Sequence, residues 1–405
     1  MFIQLAWRNI WRNRRRTLIT IASVLFAVLF STLMESLQKG AWGYMIGNVV
    51  NFFTGYVQVH RSGYQEEQSL DLAFFPGEAA AAGEVREGVK DVLPRLESFA
   101  LASTGSNTMG VMVTGIKPAA EHGMTKIRDR LEAGSFIGDS DRQVLIAAGI
   151  AERLQLRPGD TLLLISQGYH GVNAAAKYPV KGIVRYPSPD LNRLLVFLPL
   201  QEAQWFYGAE GRVTSLVYRL ESEASLPAVV GQLRGVLPRE EFEVLDWREM
   251  LPDLLEAQKL DSAGNIVVYV VLYMIIGFGL LGTILMMARE RRYEFGLLIA
   301  LGMKRWKLGV VVWLEVVFLG MLGAVAGILS AIPAVIYLQR YPLRFSGGYS
   351  ELLEQFGFEP IFPALFSFGI FFAQAMIILG ITAVLAFFPL WKIGRLHPVK
   401  AMHSR

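Results

Sequence analysis

Four stretches of this chain stay apolar for longer than a globular core element needs. Thr17 to Met34 carries no charge over eighteen residues, Ile266 to Ala288 over twenty-three and Ile361 to Trp391 over thirty-one. Leu308 to Leu338 is a fourth, interrupted only by Glu315 and bent or ended by Pro333. About 20 helical residues cross a ~30 Å hydrocarbon core, so the pattern predicts four membrane-spanning helices. Beyond Met34 the apolar positions recur every four residues at Leu37, Ala41, Met45, Val49 and Phe53, beside a stripe of Gly40, Gly43 and Gly47. The first span should therefore continue outward as a helical stalk packed closely on another helix. A second stalk is expected before Ile266, where Asp246 caps a helix with Glu249 three residues on.

Between the stalks the period shortens. Tyr56 to His60, Val111 to Ile116, Val144 to Ile146, Thr161 to Ile165, Leu194 to Leu198 and Ser215 to Leu220 read as strands; Val85 to Val92, Gly149 to Leu154, Pro199 to Tyr207 and Leu226 to Leu237 read as helices. The chain is thus expected to be an α+β membrane protein, four transmembrane helices with one large extracytoplasmic α+β domain inserted between helices 1 and 2. The expected segments are an N-terminal piece (1–16), span 1 with its stalk (17–54), the domain (55–245), stalk and span 2 (246–288), an inner loop (289–307), span 3 (308–338), an outer loop (339–360), span 4 (361–391) and a tail (392–405). Ser166 to Tyr178 reads as an exposed hairpin tip, either a surface connection or a loop that docks a partner.

Charge orients this layout. The net +4 conceals fifteen basic and two acidic residues in 1–16, 289–307 and the tail, against twenty-two basic and twenty-nine acidic in 35–263. Basic flanks belong on the cytoplasmic side, which places both termini inside and the large domain outside. The basic clusters hug the span ends without interleaved stacking aromatics, so no nucleic-acid partner is expected. With 53% hydrophobic residues and no cysteine, disulfides, thiolate metal sites and cysteine nucleophiles are excluded. The N-terminal apolar run is too long for a signal peptide and no small-residue cleavage site follows, so it reads as an uncleaved span.

The chain carries no phosphate-binding loop, no serine elbow and no His-Glu-x-x-His helix, and its five histidines are scattered, so neither hydrolysis nor a histidine metal site is expected. Glu315, about two turns into the third span, reads as structural or as part of an ion path, and Glu35 at the outer edge of the first span reads as solvated. Gly277, Gly279 and Gly282 on the second span, with Gly320, Gly323 and Gly327 on the third, read as helix-packing surfaces. In the inner loop, Glu290 to Arg305 predicts a short helix along the membrane surface with Leu297, Leu298 and Leu301 on one side. It could anchor in lipid, but its two glutamates fit a protein contact better.

That loop carries Glu290, Arg291, Glu294, Gly296, Ala300 and Gly302, and in this it resembles the FtsX-like, MacB-type permeases of ABC transporters. The opening Ala6-Trp7-Arg8-Asn9-Ile10 and the closing Pro398-Val399-Lys400-Ala401-Met402 are similar to that family's ends. Val113 to Pro118, Gly149 to Asp160 and Leu195 to Gln204 resemble the outer domain of its lipoprotein-releasing members. The resemblance implies two copies of a cytoplasmic ATPase that bind ATP and Mg, a second permease chain, identical or homologous, and an inner-loop helix that couples them. It implies no cofactor and no catalysis in this chain itself. Cargo would be extracted or displaced at the outer face rather than passed through a pore. Lipoprotein acyl chains would meet Leu37, Met45, Phe52, Phe53 and Leu260. Ser166 to Tyr178 lacks the proline of the hook that recruits a soluble carrier, a departure from that pattern. A mechanical transmitter that regulates an extracytoplasmic hydrolase, an exporter of peptides or antibiotics and an ion-coupled transporter stand as the alternatives.

Overall fold

A computed structural model describes residues 2–348, 350–351 and 359–394. The tail beyond 394, with its closing Pro398 to Met402 pattern, lies outside them. The chain forms two compact units: Met1–Trp42, Gln258–Arg344 and Ile361–Arg405 in one, Gly43–Ala257 and Phe345–Pro360 in the other.

The first unit is helical. Its helices are α1 (Phe2–Arg12), α2 (Arg14–Val49, which runs on into the second unit), α3 (Pro252–Glu290), α4 (Arg292–Ala300), α5 (Arg305–Arg340), α6 (Phe368–Leu385) and α7 (Phe387–Gly394). Among the described residues four helical stretches are long and apolar enough to cross a membrane: Arg14–Thr54, Pro252–Glu290, Arg305–Arg340 and Phe368–Trp391. Glycine sets their spacing. A Cβ at Gly323 would lie 2.5 Å from that of Val24, and one at Gly327 2.7 Å from that of Val28. Helices α2 and α5 therefore run parallel in a single register, with backbones too close for any side chain between them. Gly320 makes the same approach to Thr382 of α6, at 2.5 Å. The second-span glycines differ from expectation: Gly279 and Gly282 meet nothing within 4 Å and Gly277 only Leu385 at 3.9 Å, so they are not a packing surface within the chain.

Helix α5 continues through Pro333, as the expected span 308–338 requires. One boundary differs. The fourth helix starts at Phe368, not Ile361, because Ile361–Phe362 pair with Leu343–Arg344 as a two-stranded ladder and the next residues stay extended. Pro363 has no N–H to give a helix. Leu365 instead donates its N–H to the Ser36 carbonyl (2.9 Å) and accepts from the Ser36 hydroxyl (2.7 Å). Gly40 makes room for this segment, since a Cβ there would strike the Pro363 carbonyl. Gly43 and Gly47 approach no other segment, so the expected stripe narrows to one residue.

The second unit is built on a mixed sheet. Its strands are β1 (Val57–Arg61), β2 (Val89–Ser103), β3 (Thr108–Ile116), β4 (Leu131–Gly134), β5 (Val144–Ala147), β6 (Thr161–Gln167), β7 (Asn173–Val184), β8 (Leu195–Pro199), β9 (Ser215–Leu220) and β10 (Phe242–Asp246). The order is β10-β1-β9-β2-β3-β8-β5-β7-β4, with β6 beside β2 and β7; β3–β8 and β5–β7 are parallel. Ala148–Leu154, Leu200–Tyr207 and Leu226–Val236 are helical as their periodicity predicts. Val85 to Val92 is not the predicted helix. Gly88 turns the chain at φ +78°, and Val89 starts β2, which runs to Ser103 between β3 and β9. Asn173 to Tyr178, read as part of a loop, is strand, paired with β6 from Gln167 opposite Asn173 to Thr161 opposite Pro179. Only Gly168 to Val172 remains as the tip.

Candidate functional site: a charged junction around the short helix α4

Helix α4 lies between the long apolar helices α3 and α5. Arg291 separates it from α3, and Gly302, at φ +95°, turns the chain toward α5. Phe295 holds its inner face: almost wholly buried, it packs with Ile284, Met287, Leu308, Val312 and Ala386, and Leu298 leans on the same cluster. Leu297 and Leu301 point away, with 42% and 76% of their surface open, as does Tyr293. The sequence grouped Leu298 with these two. The fold divides them, because a helix this short keeps its inner face only where Phe295 and Leu298 lie one turn apart.

The charged residues of the loop find partners inside the chain. Arg12 donates to both oxygens of Glu294 (2.6 and 2.7 Å), and Arg16 donates to Glu290 (2.9 Å). Arg291 donates to Glu294 (3.2 Å) and to Glu315 (2.7 Å), its guanidinium 5.3 Å from the Phe295 ring centre. One line of charge thus runs Arg12, Glu294, Arg291, Glu315, from α1 through α4 to α5. Partial burial acts to raise the Glu294 carboxyl, and the hydrogen bonds from Arg12 and Arg291 overcome this and hold it below the usual range. Of the six expected coupling residues, Glu290, Arg291 and Glu294 join this network. Gly296 is buried beneath it, Ala300 ends α4 exposed, and Gly302 makes the turn.

Glu315 is fully buried, and its partner comes from the loop rather than from another span. The register that sets Val24 on Gly323 and Val28 on Gly327 carries Thr17, where the apolar run of α2 begins, to the level of Val316, beside Glu315. Glu35 is not the solvated acid expected: mostly buried, it accepts a hydrogen bond from Gln374, which also binds the Tyr273 hydroxyl (2.5 Å), and pairs with Lys39 (2.6 Å).

The five residues expected to meet cargo have separate surroundings. Leu37 packs with Ala331, Val335 and Phe371, and Leu260 is exposed. In the second unit Met45 is half-buried, Phe52 lies under the Arg130 guanidinium (3.5 Å to the ring centre) and Phe53 under that of Arg95 (5.2 Å). Arg95 had no signal beyond an arginine in an apolar run. Fully buried, it holds Glu121 by two hydrogen bonds (2.6 and 3.1 Å) and donates to the Phe53 carbonyl (2.7 Å), which ties the π-helical end of α2's extension (Val50–Thr54) to the sheet. Nearby His60 donates its Nδ1–H to the Thr214 carbonyl (2.9 Å); burial pushes its imidazole down to about 4. Among the described residues no group of His, Asp or Glu is placed to hold a metal.

Four helices long and apolar enough to cross a membrane, a charged helical junction between two of them and a mixed α/β domain between the first two are the parts of this chain among the described residues. The profile described as MacB-like periplasmic core domain matches residues 17–236, and that described as FtsX-like permease C-terminal matches 266–398; the chain belongs to this family. Similar curated proteins are the lipoprotein-releasing system transmembrane protein LolC of Neisseria meningitidis (21% identical, 79% of each chain covered) and the macrolide export ATP-binding/permease protein MacB of Sodalis glossinidius (22%, covering 99% of this chain and 60% of that one). Among solved structures, the periplasmic region of MacB from Actinobacillus actinomycetemcomitans aligns at 12% identity over 53% of this chain and 98% of that one, with a TM-score of 0.36. The helices and the matched domain fit an inner-membrane protein.

Proposed function

We propose that this chain is the non-catalytic membrane subunit of an ABC transporter, driven by a separate cytoplasmic ATPase in two copies that bind ATP and Mg, and that it pairs with a second permease chain. Both termini and α4 lie on the cytoplasmic side in this reading, with the α/β domain outside. The observation that carries it is the two-sidedness of α4: Phe295 and Leu298 lock it to the span ends while Tyr293, Leu297 and Leu301 stay open to a partner. The cargo is lipophilic, lipoproteins first, displaced at the outer face. The likeness to a lipoprotein-releasing protein supports that choice, and exposed Leu260 is the position to test for acyl-chain contact. Control of an extracytoplasmic hydrolase and export of peptides or antibiotics are the competing activities. Leu297→Asp with Leu301→Asp should abolish co-purification of the ATPase while leaving the permease folded; unchanged co-purification sinks the docking assignment. Unaltered lipoprotein distribution after depletion sinks the cargo.

A further inference from the structure

Helix α1 is a separate element, not the start of the first span. It ends at Arg12, and Thr17 holds the bend by donating its hydroxyl to the Ile10 carbonyl (2.5 Å) and its N–H to that of Asn13 (3.1 Å). The helix packs along α5 with Ala6 and Ile10 buried, and Trp7 meets Phe318 edge-on at 6.4 Å, two residues from Val316, which is level with the start of α2's apolar run. Around the helix, Ile3, Trp7 and Trp11 follow the buried arc and are exposed, Ile3 by 63%; Gln4, Arg8 and Arg12 occupy the far side. An apolar arc with two tryptophans at this level suits the boundary between headgroups and acyl chains. The arginines divide in the same way. Arg12 and Arg16 hold glutamates, whereas Arg8, Arg14 and Arg15 are exposed and have no carboxylate within ion-pair distance among the described residues.

We propose that α1 lies in the plane of the cytoplasmic leaflet, that Arg8, Arg14 and Arg15 bind the acidic headgroups of anionic phospholipid there, and that Arg12 passes this anchorage to α4 through Glu294. Three uncompensated guanidiniums beside an apolar arc match a phosphate surface and repel another basic protein face. The proposal rests on the cytoplasmic placement of α1 in the reading above. Its test uses no ATPase, so loss of the docking assignment leaves it standing.

The chain has no cysteine, so single labels can be placed cleanly. The full-length protein carrying Ile3→Cys or Gln4→Cys is spin-labelled in phosphatidylcholine vesicles containing phosphatidylglycerol. Label 3 should collide several-fold more often with oxygen than with a water-soluble nickel chelate, and label 4 the reverse. Equal accessibility at both, or shielding of label 3 from both reagents by a covering protein, overturns the proposal. Selectivity for spin-labelled phosphatidylglycerol over phosphatidylcholine is then read in Arg8→Gln, Arg14→Gln and Arg15→Gln, singly and together. The triple variant should lose at least about fivefold, the effect of one basic residue near an acidic surface, and the three Arg→Lys changes should keep it. Undiminished selectivity in the glutamine variants overturns the headgroup assignment.

Discussion

Replacing Arg291 with methionine leaves Glu315 wholly buried and without the guanidinium that donates to it, and the consequence can be worked from the geometry. At 2.7 Å the pair attracts by about 6 kcal/mol at an effective dielectric of about 20, much of which offsets the cost of desolvating both groups. Removing one member keeps the desolvation and loses the attraction, so Arg291→Met should destabilise the helical unit by about 3–5 kcal/mol. Glu315→Leu should cost less, because Arg291 keeps Glu294 at 3.2 Å and the Phe295 ring. The double replacement swaps an ion pair for apolar contact and should recover most of the loss, a coupling of at least about 2 kcal/mol. Equilibrium unfolding of the purified chain by SDS titration in mixed micelles, followed by tryptophan fluorescence, measures all four corners of the cycle. If Arg291→Met costs under about 1 kcal/mol, or if the double variant equals the sum of the singles, the pair is not what holds α4 to α5. An ion path through Glu315 is told apart by activity, since it has all transport lost in the double variant even though stability recovers.

The second ion pair tells intramolecular bracing from partner contact: Glu290→Arg should weaken the ATPase complex, and adding Arg16→Glu should restore it if Glu290 works through Arg16, whereas no rescue in a pull-down means the glutamate touches the ATPase directly. Gly323→Ala should destabilise by at least about 1 kcal/mol, since the new methyl meets Val24, while Gly279→Ala is neutral or better; equal unfolding midpoints would contradict the α2–α5 register. Below pH 6.5 the unfolded chain protonates His60 before the native one does, so stability falls between about 6.5 and about 4, by about 2–3 kcal/mol at pH 4.5, and His60→Gln should flatten that slope in pH-dependent urea unfolding of the full chain.

The helices and most strands were legible because their apolar periods are long and unmixed. Thr17 to Met34 and Ile266 to Ala288 lie wholly inside α2 and α3, and Ser215 to Leu220 is strand β9 to the residue. The failures came where one period was short and a single residue decided. Val85, Val89 and Val92 fit a helix, and Gly88 at positive φ made them the entry to a strand. The alanines of Asn173 to Tyr178 have no strand preference of their own, and β6 conferred it by pairing. For the junction, sequence alone named the motif Glu290, Arg291, Glu294 and the solitary Glu315. Nothing in their spacing tied Arg12 to a residue nearly three hundred positions away, or set Glu315 level with the start of the first apolar run. That required the close fit of Gly323 and Gly327 on Val24 and Val28, because the level of a charge along the bundle depends on how neighbouring helices are aligned, and alignment is a property of packed surfaces rather than of either helix read by itself.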